Sequence, residues 1–307
     1  MAATVRRTAI DLAGLEVPVI EVTGSGDGPL LTVIAGVHGC EYVPMAAVRQ
    51  WAGGLAGREL AGTVRAVPVL NLPAFTARSP FVVPEDGKNL NRNFPGDPAG
   101  SFTERFADAV FRTLITGSDA VVDAHCGDLP EALEPFAIYD AGAVEERALA
   151  LALAYGLPYV IRQEPGPDRA VGGTSSAAAA EVGIPAIIAE AGGCGIVDAA
   201  SVAMHVRGLD GLLAHLGMAG RPAGSESSPA PTRLNRFIWL RSEHDGWWEP
   251  VVAPGEQVAR GQLLGTVTSL DGAEVRQRIE APAAGAPMFI TSSPATQAGG
   301  LLLGLGA

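Results

Sequence analysis

The stretch PLLTVIAGVHGCEY (29–42) decides the fold of the first part of the chain. Residues 29–36 are apolar and β-branched and end in glycine, a pattern that predicts a buried strand followed by a turn. His38 and Glu41 lie in that turn. A helical pattern continues to about Trp51, so the segment predicts strand, turn and helix in that order.

The same alternation recurs further along the chain. TVRAVPVL (63–70), DAVVDAH (119–125) and IPAIIAE (184–190) predict more strands, and residues 101–116 and 198–217 have helical spacing. Strands that alternate with helices predict an α/β fold, in which a mostly parallel or mixed sheet is flanked by helices. Sites in such sheets form beyond the carboxyl ends of the strands.

The composition changes after residue 217. MAGRPAGSESSPAPTR (218–233) is rich in Gly, Ser, Pro and Ala without periodicity, which is typical of a linker. Short runs such as RFIWLRS and LLGTVTS then alternate with turn signals and predict a small all-β domain. We therefore predict an α/β domain over 1–217, a linker over 218–233 and a β-domain over 234–307.

Charge and hydropathy exclude several classes of partner. The chain has 33 acidic and 21 basic residues and a net charge of −12, which argues against nucleic-acid and anionic-membrane surfaces. The start MAATVRRTAIDLAG lacks the apolar core of a signal peptide, and no run approaches the ~20 apolar residues of a membrane span. These features, with three cysteines, predict a soluble cytoplasmic protein in a reducing compartment.

His38 and Glu41 are close enough in sequence for both side chains to reach one metal ion, and imidazole with carboxylate suits Zn²⁺. This spacing occurs often by chance, and by itself it would favour a surface histidine beside an ordinary glutamate. His125 ends a second predicted strand and could supply a third ligand from the same sheet edge. Three protein ligands would leave an open position for water, as in catalytic zinc sites.

Other polar residues support a catalytic site. In DGKNLNRNFPG (86–96), the pair Asn91 and Arg92 could clamp a carboxylate. Glu190 ends an apolar strand, where a glutamate is costly unless it faces a site, so it is the candidate general base. Asp123 could orient a ligand histidine or could simply cap a turn.

VHGCEY (37–42), NLNRNFPG (89–96), DAHCG (123–127) and AEAGG (189–193), in this order, resemble the motifs of the succinylglutamate desuccinylase/aspartoacylase family, relatives of the zinc carboxypeptidases. The resemblance implies that His38, Glu41 and His125 ligate one zinc ion per chain. It also implies that Asn91 and Arg92 hold a substrate carboxylate, that Glu190 activates water, and that an upstream arginine polarises the scissile carbonyl. Arg78 is the best-placed arginine, and Lys88 is its rival.

The chain departs from this family at its carboxyl-terminal end. Family members use a tyrosine from late in the chain, whereas the last tyrosine here is Tyr159. His244 is a candidate replacement, although an exposed turn histidine is an equally good interpretation. Residues 251–287 resemble the half-barrel of biotinyl and lipoyl carriers, but they contain no lysine for a covalent cofactor, which favours a lid or assembly role.

Together these features predict a zinc-dependent amidohydrolase that cleaves a small N-acylated amino acid or a related carboxylate-bearing amide. Two alternatives stay open: a metallocarboxypeptidase acting on peptides, and a non-catalytic protein that binds a small molecule. The oligomeric state is also open, and a homo-oligomer is among the expected forms.

Overall fold

In the computed structural model, which describes residues 2–164, 172–220 and 230–307, the apolar run 29–36 forms a buried strand, as the sequence predicts. Residues 221–229 of the predicted linker lie outside the described residues. The helices are α1 (Tyr42–Gly53), α2 (Leu72–Ala77), α3 (Phe102–Val110), α4 (Glu145–Tyr155), α5 (Ser175–Glu181) and α6 (Ala199–His215). A single 3₁₀ turn spans Leu90–Arg92, and a π-helical turn over Phe111–Ile115 continues α3.

The strands of the described chain are numbered in sequence order. They are β1 (Thr4–Leu12), β2 (Leu15–Thr23), β3 (Leu30–Ala35), β4 (Thr63–Val67), β5 (Ala120–His125), β6 (Glu131–Leu133), β7 (Phe136–Asp140), β8 (Tyr159–Gln163), β9 (Ala186–Glu190), β10 (Thr232–Leu234), β11 (Phe237–Arg241), β12 (Gly246–Pro250), β13 (Leu263–Thr268), β14 (Val275–Glu280), β15 (Ala286–Thr291), β16 (Ala295–Thr296) and β17 (Leu301–Gly306).

A nine-stranded mixed sheet forms the centre of the molecule, in the order β1-β2-β4-β3-β5-β9-β7-β8-β10. β3 pairs in parallel with β4 and β5, and β5 pairs in parallel with β9. β7 runs antiparallel to β9, and β1 and β2 form an antiparallel hairpin. The predicted α/β class with a mixed sheet is therefore confirmed.

Both faces of the central strands are covered, which explains why their sequences are continuous apolar runs rather than alternating ones. Side chains of α1, α4 and α6 pack on one face around Val33, Val122 and Ile187. Side chains of α3 and α5 pack on the other face with Ile34 and Val121. Because β3, β5 and β9 run parallel to one another, their carboxyl ends lie at one common edge of the sheet.

The carboxyl-terminal residues form two antiparallel four-stranded sheets, in the orders β11-β17-β15-β6 and β14-β13-β12-β16. They enclose a separate apolar core that includes Trp248, Leu264 and Leu303. The predicted small all-β region is confirmed.

Two strands cross the domain boundaries that the sequence predicts. The boundaries themselves stay a prediction. β6, from the α/β part, pairs with β15 of the carboxyl-terminal sheets. β10 lies at the end of the predicted linker and pairs in parallel with β8, so residues 232–234 belong to the central sheet. These pairings attach the β-domain to the edge of the sheet where β3, β5 and β9 end. None of the described helices is both long and apolar enough to cross a membrane.

Candidate metal centre and active site

His38, Glu41 and His125 converge at the carboxyl edge of the central sheet. One potential ligand atom from each lies within 4.8 Å of the others, and all three residues are buried. The turn between His38 and Glu41 requires glycine at position 39, because a Cβ there would lie 2.2 Å from the carbonyl carbon of Ala74. This close approach places the turn against α2 and directs both side chains to the same point.

The two histidines present the same nitrogen to that point. His38 Nδ1 lies 2.5 Å from Glu41 Oε1, and His125 Nδ1 lies 2.7 Å from Glu41 Oε2. Their other nitrogens face outward: His38 Nε2 is 3.0 Å from Asn89 Oδ1, and His125 Nε2 is 2.9 Å from Asp123 Oδ1. The oxygen acceptor behind His38 favours the tautomer that leaves its Nδ1 free to bind a metal, and His125 Nε2 also lies 3.2 Å from Asn91 Nδ2.

This donor set fits zinc. Two imidazole nitrogens and one carboxylate are typical zinc ligands, and three protein ligands leave a position for water or substrate. Burial acts to raise the pKa of Glu41, but the adjacent His125 and His38 outweigh burial and lower the pKa to about 2. The carboxylate is therefore held in its ionised form, which is the form that binds metal.

A buried network supports the His125 side. Asp123 Oδ2 accepts hydrogen bonds from Asn91 Nδ2 at 3.1 Å and from Ser175 Oγ at 2.5 Å. Asn91 Oδ1 accepts from the backbone N–H of Ser175 at 2.9 Å. Both ends of the Asn91 amide are thus engaged inside the protein, an arrangement that positions Asp123, and Asn91 also lines the cavity.

Glu190 and Arg92 face the metal centre from two sides. Glu190 ends β9 in register with His125 on β5, and burial raises the pKa of its carboxyl to about 8. Burial also lowers the pKa of Arg92, against the attraction of Glu131, Glu190 and Glu41. Arg92 Nη1 donates to the backbone oxygen of Asn91 at 2.8 Å, which holds the guanidinium in place.

These side chains open into a cavity of about 410 Å³. Its wall opposite the central sheet comes from the β-domain and includes Phe237, Trp239, Arg241, Phe289 and Thr291. The Trp239 ring centroid lies 5.1 Å from that of Phe237 and 5.2 Å from that of Phe289. The Trp239 Nε1–H is buried and has no hydrogen-bond partner in the described chain.

Three residues named from the sequence do not line the cavity. Arg78 is an exposed residue that ends α2 with a left-handed φ of 53°. Lys88 forms an ion pair with Glu104 Oε2 at 2.9 Å, outside the site. His244 is exposed in the turn before β12. The roles of Arg78 or Lys88 as the carbonyl-polarising group and of His244 as the tyrosine replacement stay predictions, although none of the three side chains lines the cavity.

The sequence analysis also missed residues that do line the cavity. Phe237, Trp239 and Arg241 alternate along β11, so a period of two in RFIWLRS was the available signal. Glu131 begins β6, six residues after His125, and no motif marked it. Cys126 lines the cavity, but burial raises the pKa of its thiol far above the usual range, which argues against a thiolate.

The fold and the site together define a class: a mixed α/β protein with a His-Glu-His metal-type centre at the carboxyl edge of its sheet and a β-domain over the cavity. The succinylglutamate desuccinylase/aspartoacylase catalytic domain matches residues 27–216. The chain belongs to the succinylglutamate desuccinylase/aspartoacylase family.

Individual relatives agree with this assignment. The chain is 35% identical over 256 residues to N-alpha-acetyl-L-2,4-diaminobutyric acid deacetylase of Halomonas elongata, a match that covers 81% of this chain and 73% of that protein. The product-bound structure of the ectoine utilization protein EutE (DoeB) from Ruegeria pomeroyi is similar with a TM-score of 0.85 and 27% identity, over 99% of this chain and 95% of that one. A succinylglutamate desuccinylase from Silicibacter sp. TM1040 is similar with a TM-score of 0.82 and 27% identity, over 99% and 93%.

Proposed function

We propose that this protein is a zinc-dependent amidohydrolase that removes the acyl group from a small N-acylated amino acid. The observation that carries the proposal is the convergence of His38, Glu41 and His125 beside Glu190 in one cavity. In this assignment the first three residues bind one zinc ion, and Glu190 transfers the proton. The names of the relatives, a deacetylase and a desuccinylase, support removal of an acyl group from an amine.

A zinc ion held by His38, Glu41 and His125 would supply Lewis acidity that lowers the pKa of water and polarises a carbonyl group. Glu190 is free to act on that water, because its carboxyl has no hydrogen bond to the described protein. Its position in register with His125 places it beside the metal ligands. Glu190 takes a proton from the attacking water and passes it to the nitrogen of the leaving amine.

Arg92 is the candidate for orienting the substrate at the metal centre. Arg78 and Lys88 do not line the cavity, whereas Arg92 does, and its charge is attracted by Glu131, Glu190 and Glu41. A guanidinium can donate to a carboxylate or to the oxygen of the scissile carbonyl. We assign Asn91 to positioning, since its amide holds Asp123.

A small substrate fits the shape of the site. The cavity of about 410 Å³ lies within the range for small-molecule pockets. The aromatic wall formed by Phe237, Trp239 and Phe289 faces the metal centre across this space. The acetyl group in the name of the Halomonas relative supports a short acyl chain, so acetyl amides are the first substrates to test.

The proposal is tested by zinc analysis and a substrate panel. We expect one zinc per chain after gentle purification and hydrolysis of some member of a panel of acetyl, succinyl and formyl amides of acidic, basic and diamino acids. Removal of zinc by a chelator should abolish turnover, and added zinc should restore it. Turnover of peptides alone would identify a carboxypeptidase instead, and the absence of stoichiometric zinc would favour a binding protein.

A further inference from the structure

His205 is a buried polar residue that the proposed reaction does not use, and it lies against the carboxyl ends of β5 and β9. It belongs to α6 and is fully buried. Its Nδ1 lies 2.7 Å from Tyr155 Oη, at the end of α4, and its Nε2 lies 3.3 Å from the backbone oxygen of Ala191. The backbone oxygen of His125 is a second hydrogen-bond acceptor for the ring. The imidazole therefore connects two helices to the ends of two strands.

The partners of the His205 ring fix its tautomer. Carbonyl oxygens can only accept, so Nε2, which faces them, carries the ring proton and donates. Nδ1 is then left with a lone pair, and the Tyr155 hydroxyl donates to it. Burial lowers the pKa of His205 to about 4, against the backbone hydrogen bonds to Ala191 and His125, so the ring is neutral and carries one proton. Both ring nitrogens are thus engaged inside the protein.

The two backbone oxygens belong to the strand ends that carry the site. His125 and Glu190 are partners in the register of β5 and β9, and Ala191 follows Glu190 directly. The backbone N–H of Ala191 donates to the backbone oxygen of His125 at 3.2 Å, one step beyond the paired strands. His205 adds a side-chain hydrogen bond at this point. A donor that reaches both backbones here restrains the separation of the candidate metal ligand and the candidate base.

The packing of α4 against α6 brings Tyr155 to this ring. Gly208 lies one turn after His205 in α6, and a Cβ at position 208 would lie 2.4 Å from Tyr155 Cε1. Glycine therefore lets the Tyr155 ring lie directly against α6, with its centroid 6.1 Å from that of His205. Burial raises the pKa of the Tyr155 hydroxyl far above its usual range, so the hydroxyl keeps the proton that it donates.

We propose that His205 is a positioning residue, which holds His125 and Glu190 at their working separation through the backbone oxygens at the ends of β5 and β9. The inference rests on the proposed function, in which these two residues bind zinc and transfer the proton. Neither His205 nor Tyr155 lines the cavity, so His205 acts through the backbone and not on the substrate. A misplacement of about 1 Å between reacting groups can slow a reaction by roughly 100-fold.

Two substitutions of His205 that differ by one methylene group test the proposal. The amide nitrogen of Gln can occupy the place of Nε2 and donate to the backbone oxygens, whereas the shorter amide of Asn reaches only the place of Nδ1. On the acyl amide that the zinc-loaded wild type hydrolyses fastest, we expect His205→Asn to lower kcat by roughly 10- to 100-fold, with KM within about twofold. His205→Gln should restore kcat to within about fivefold of the wild type.

Two controls separate positioning from loss of stability. His215→Asn makes the same change at the exposed end of α6 and should leave kcat and KM at wild-type values. Thr32→Val removes a buried hydrogen bond to Ser118 Oγ at 2.8 Å, at a β3 position paired with Val121 near the amino end of β5. It should lower Tm without changing kcat. A lower Tm with wild-type kcat in both His205 variants would assign His205 to the fold and overturn the proposal.

Tyr155→Phe keeps the proposal testable if His205→Asn does not fold. It removes the donor to Nδ1 and leaves that lone pair without its partner, so the ring loses one of its restraints. We expect kcat to fall by about three- to tenfold with unchanged KM. A wild-type kcat in Tyr155→Phe would then overturn the proposal.

The visible absorption spectrum of the cobalt-loaded protein distinguishes this inference from the proposed function, because it reports ligand geometry and needs no turnover. We expect His205→Asn to change the position and intensity of the cobalt bands, through displacement of His125, and His205→Gln and His215→Asn to keep them. That pattern would support the positioning role even if no amide is hydrolysed. Hydrolysis of acyl amino acids by His205→Asn with wild-type kcat and an unchanged cobalt spectrum would retain the hydrolase and reject the positioning role.

Discussion

His125 and Glu190 lie side by side at the carboxyl ends of β5 and β9, two adjacent parallel strands paired in register. Each strand reaches the same edge of the sheet, so one delivers a candidate metal ligand and the other delivers the candidate base. Strand pairing fixes this relationship, because the backbone hydrogen bonds between β5 and β9 set which residues are neighbours.

Replacement of Glu190 tests that relationship. Glu190→Gln keeps the shape of the side chain but removes its ability to take a proton, so we expect kcat to fall by roughly 100- to 10,000-fold. Zinc content should stay at the wild-type level, since Glu190 is outside the three-residue ligand group. Exposed Glu181 at the end of α5 gives the control Glu181→Gln. Near-normal turnover by zinc-replete Glu190→Gln would remove Glu190 from the mechanism.

Asp123 should control zinc affinity without touching the metal. Its Oδ1 lies 2.9 Å from His125 Nε2, and Asp123→Asn replaces that charge with an amide. We expect zinc binding, measured by competition with a chromophoric chelator, to weaken by roughly 10- to 100-fold.

Asp119→Asn is the comparison for this experiment. Asp119 stands just before β5, at the opposite end of the strand from His125, and it accepts a hydrogen bond from the backbone N–H of Leu30 at 2.8 Å. Its replacement should leave zinc affinity unchanged. Equal zinc affinity in Asp123→Asn and the wild type would show that the negative charge beside His125 does not tune the site.

Replacement of Arg92 and replacement of Lys88 should have very different effects on kcat/KM. Arg92 lines the cavity, so Arg92→Gln should reduce kcat/KM by about 100-fold, through loss of a charged donor to the substrate. Lys88→Gln should stay within about twofold of the wild type, because the Lys88 ion pair with Glu104 is partly exposed and lies away from the cavity. A larger loss in Lys88→Gln than in Arg92→Gln would reverse this assignment.

Gly304 supports the aromatic wall of the cavity. A Cβ at this position would lie 2.4 Å from Phe289 Cε1 and 2.7 Å from Phe237 Cζ, so Gly304→Ala must displace these rings. We expect a loss of stability of about 1–3 kcal/mol and a KM increase of about tenfold, with unchanged zinc content. Thermal unfolding and steady-state kinetics measure the two effects.

Gly172→Ala is the control for Gly304→Ala, since an added methyl group there would meet no atom of the described residues within 4 Å. Its stability and KM should match those of the wild type. If Gly304→Ala also matched the wild type, the two phenylalanine rings would be free to move without cost to binding.

The sequence by itself determined the class of fold and the centre of the site. Continuous apolar runs such as 29–36 and 119–125 specify strands that are buried on both faces. Helical spacing in the segments between such strands specifies the helices that pack on those faces. His38 and Glu41 are three residues apart, so one local turn brings them together, and His125 follows from the rule that parallel strands end at one edge. These features depend on short-range geometry or on the general architecture of a sheet.

Only the tertiary structure decided what surrounds that centre. Glu131 enters the cavity wall because β6 pairs with β15, and Trp239 and Arg241 enter it because β11 belongs to the same sheet. Arg78 and Lys88 are near the motifs in sequence, yet α2 and the ion pair with Glu104 direct them elsewhere. The composition of the cavity wall therefore depends on contacts between residues more than one hundred positions apart, and no local sequence pattern encodes which of those residues will meet.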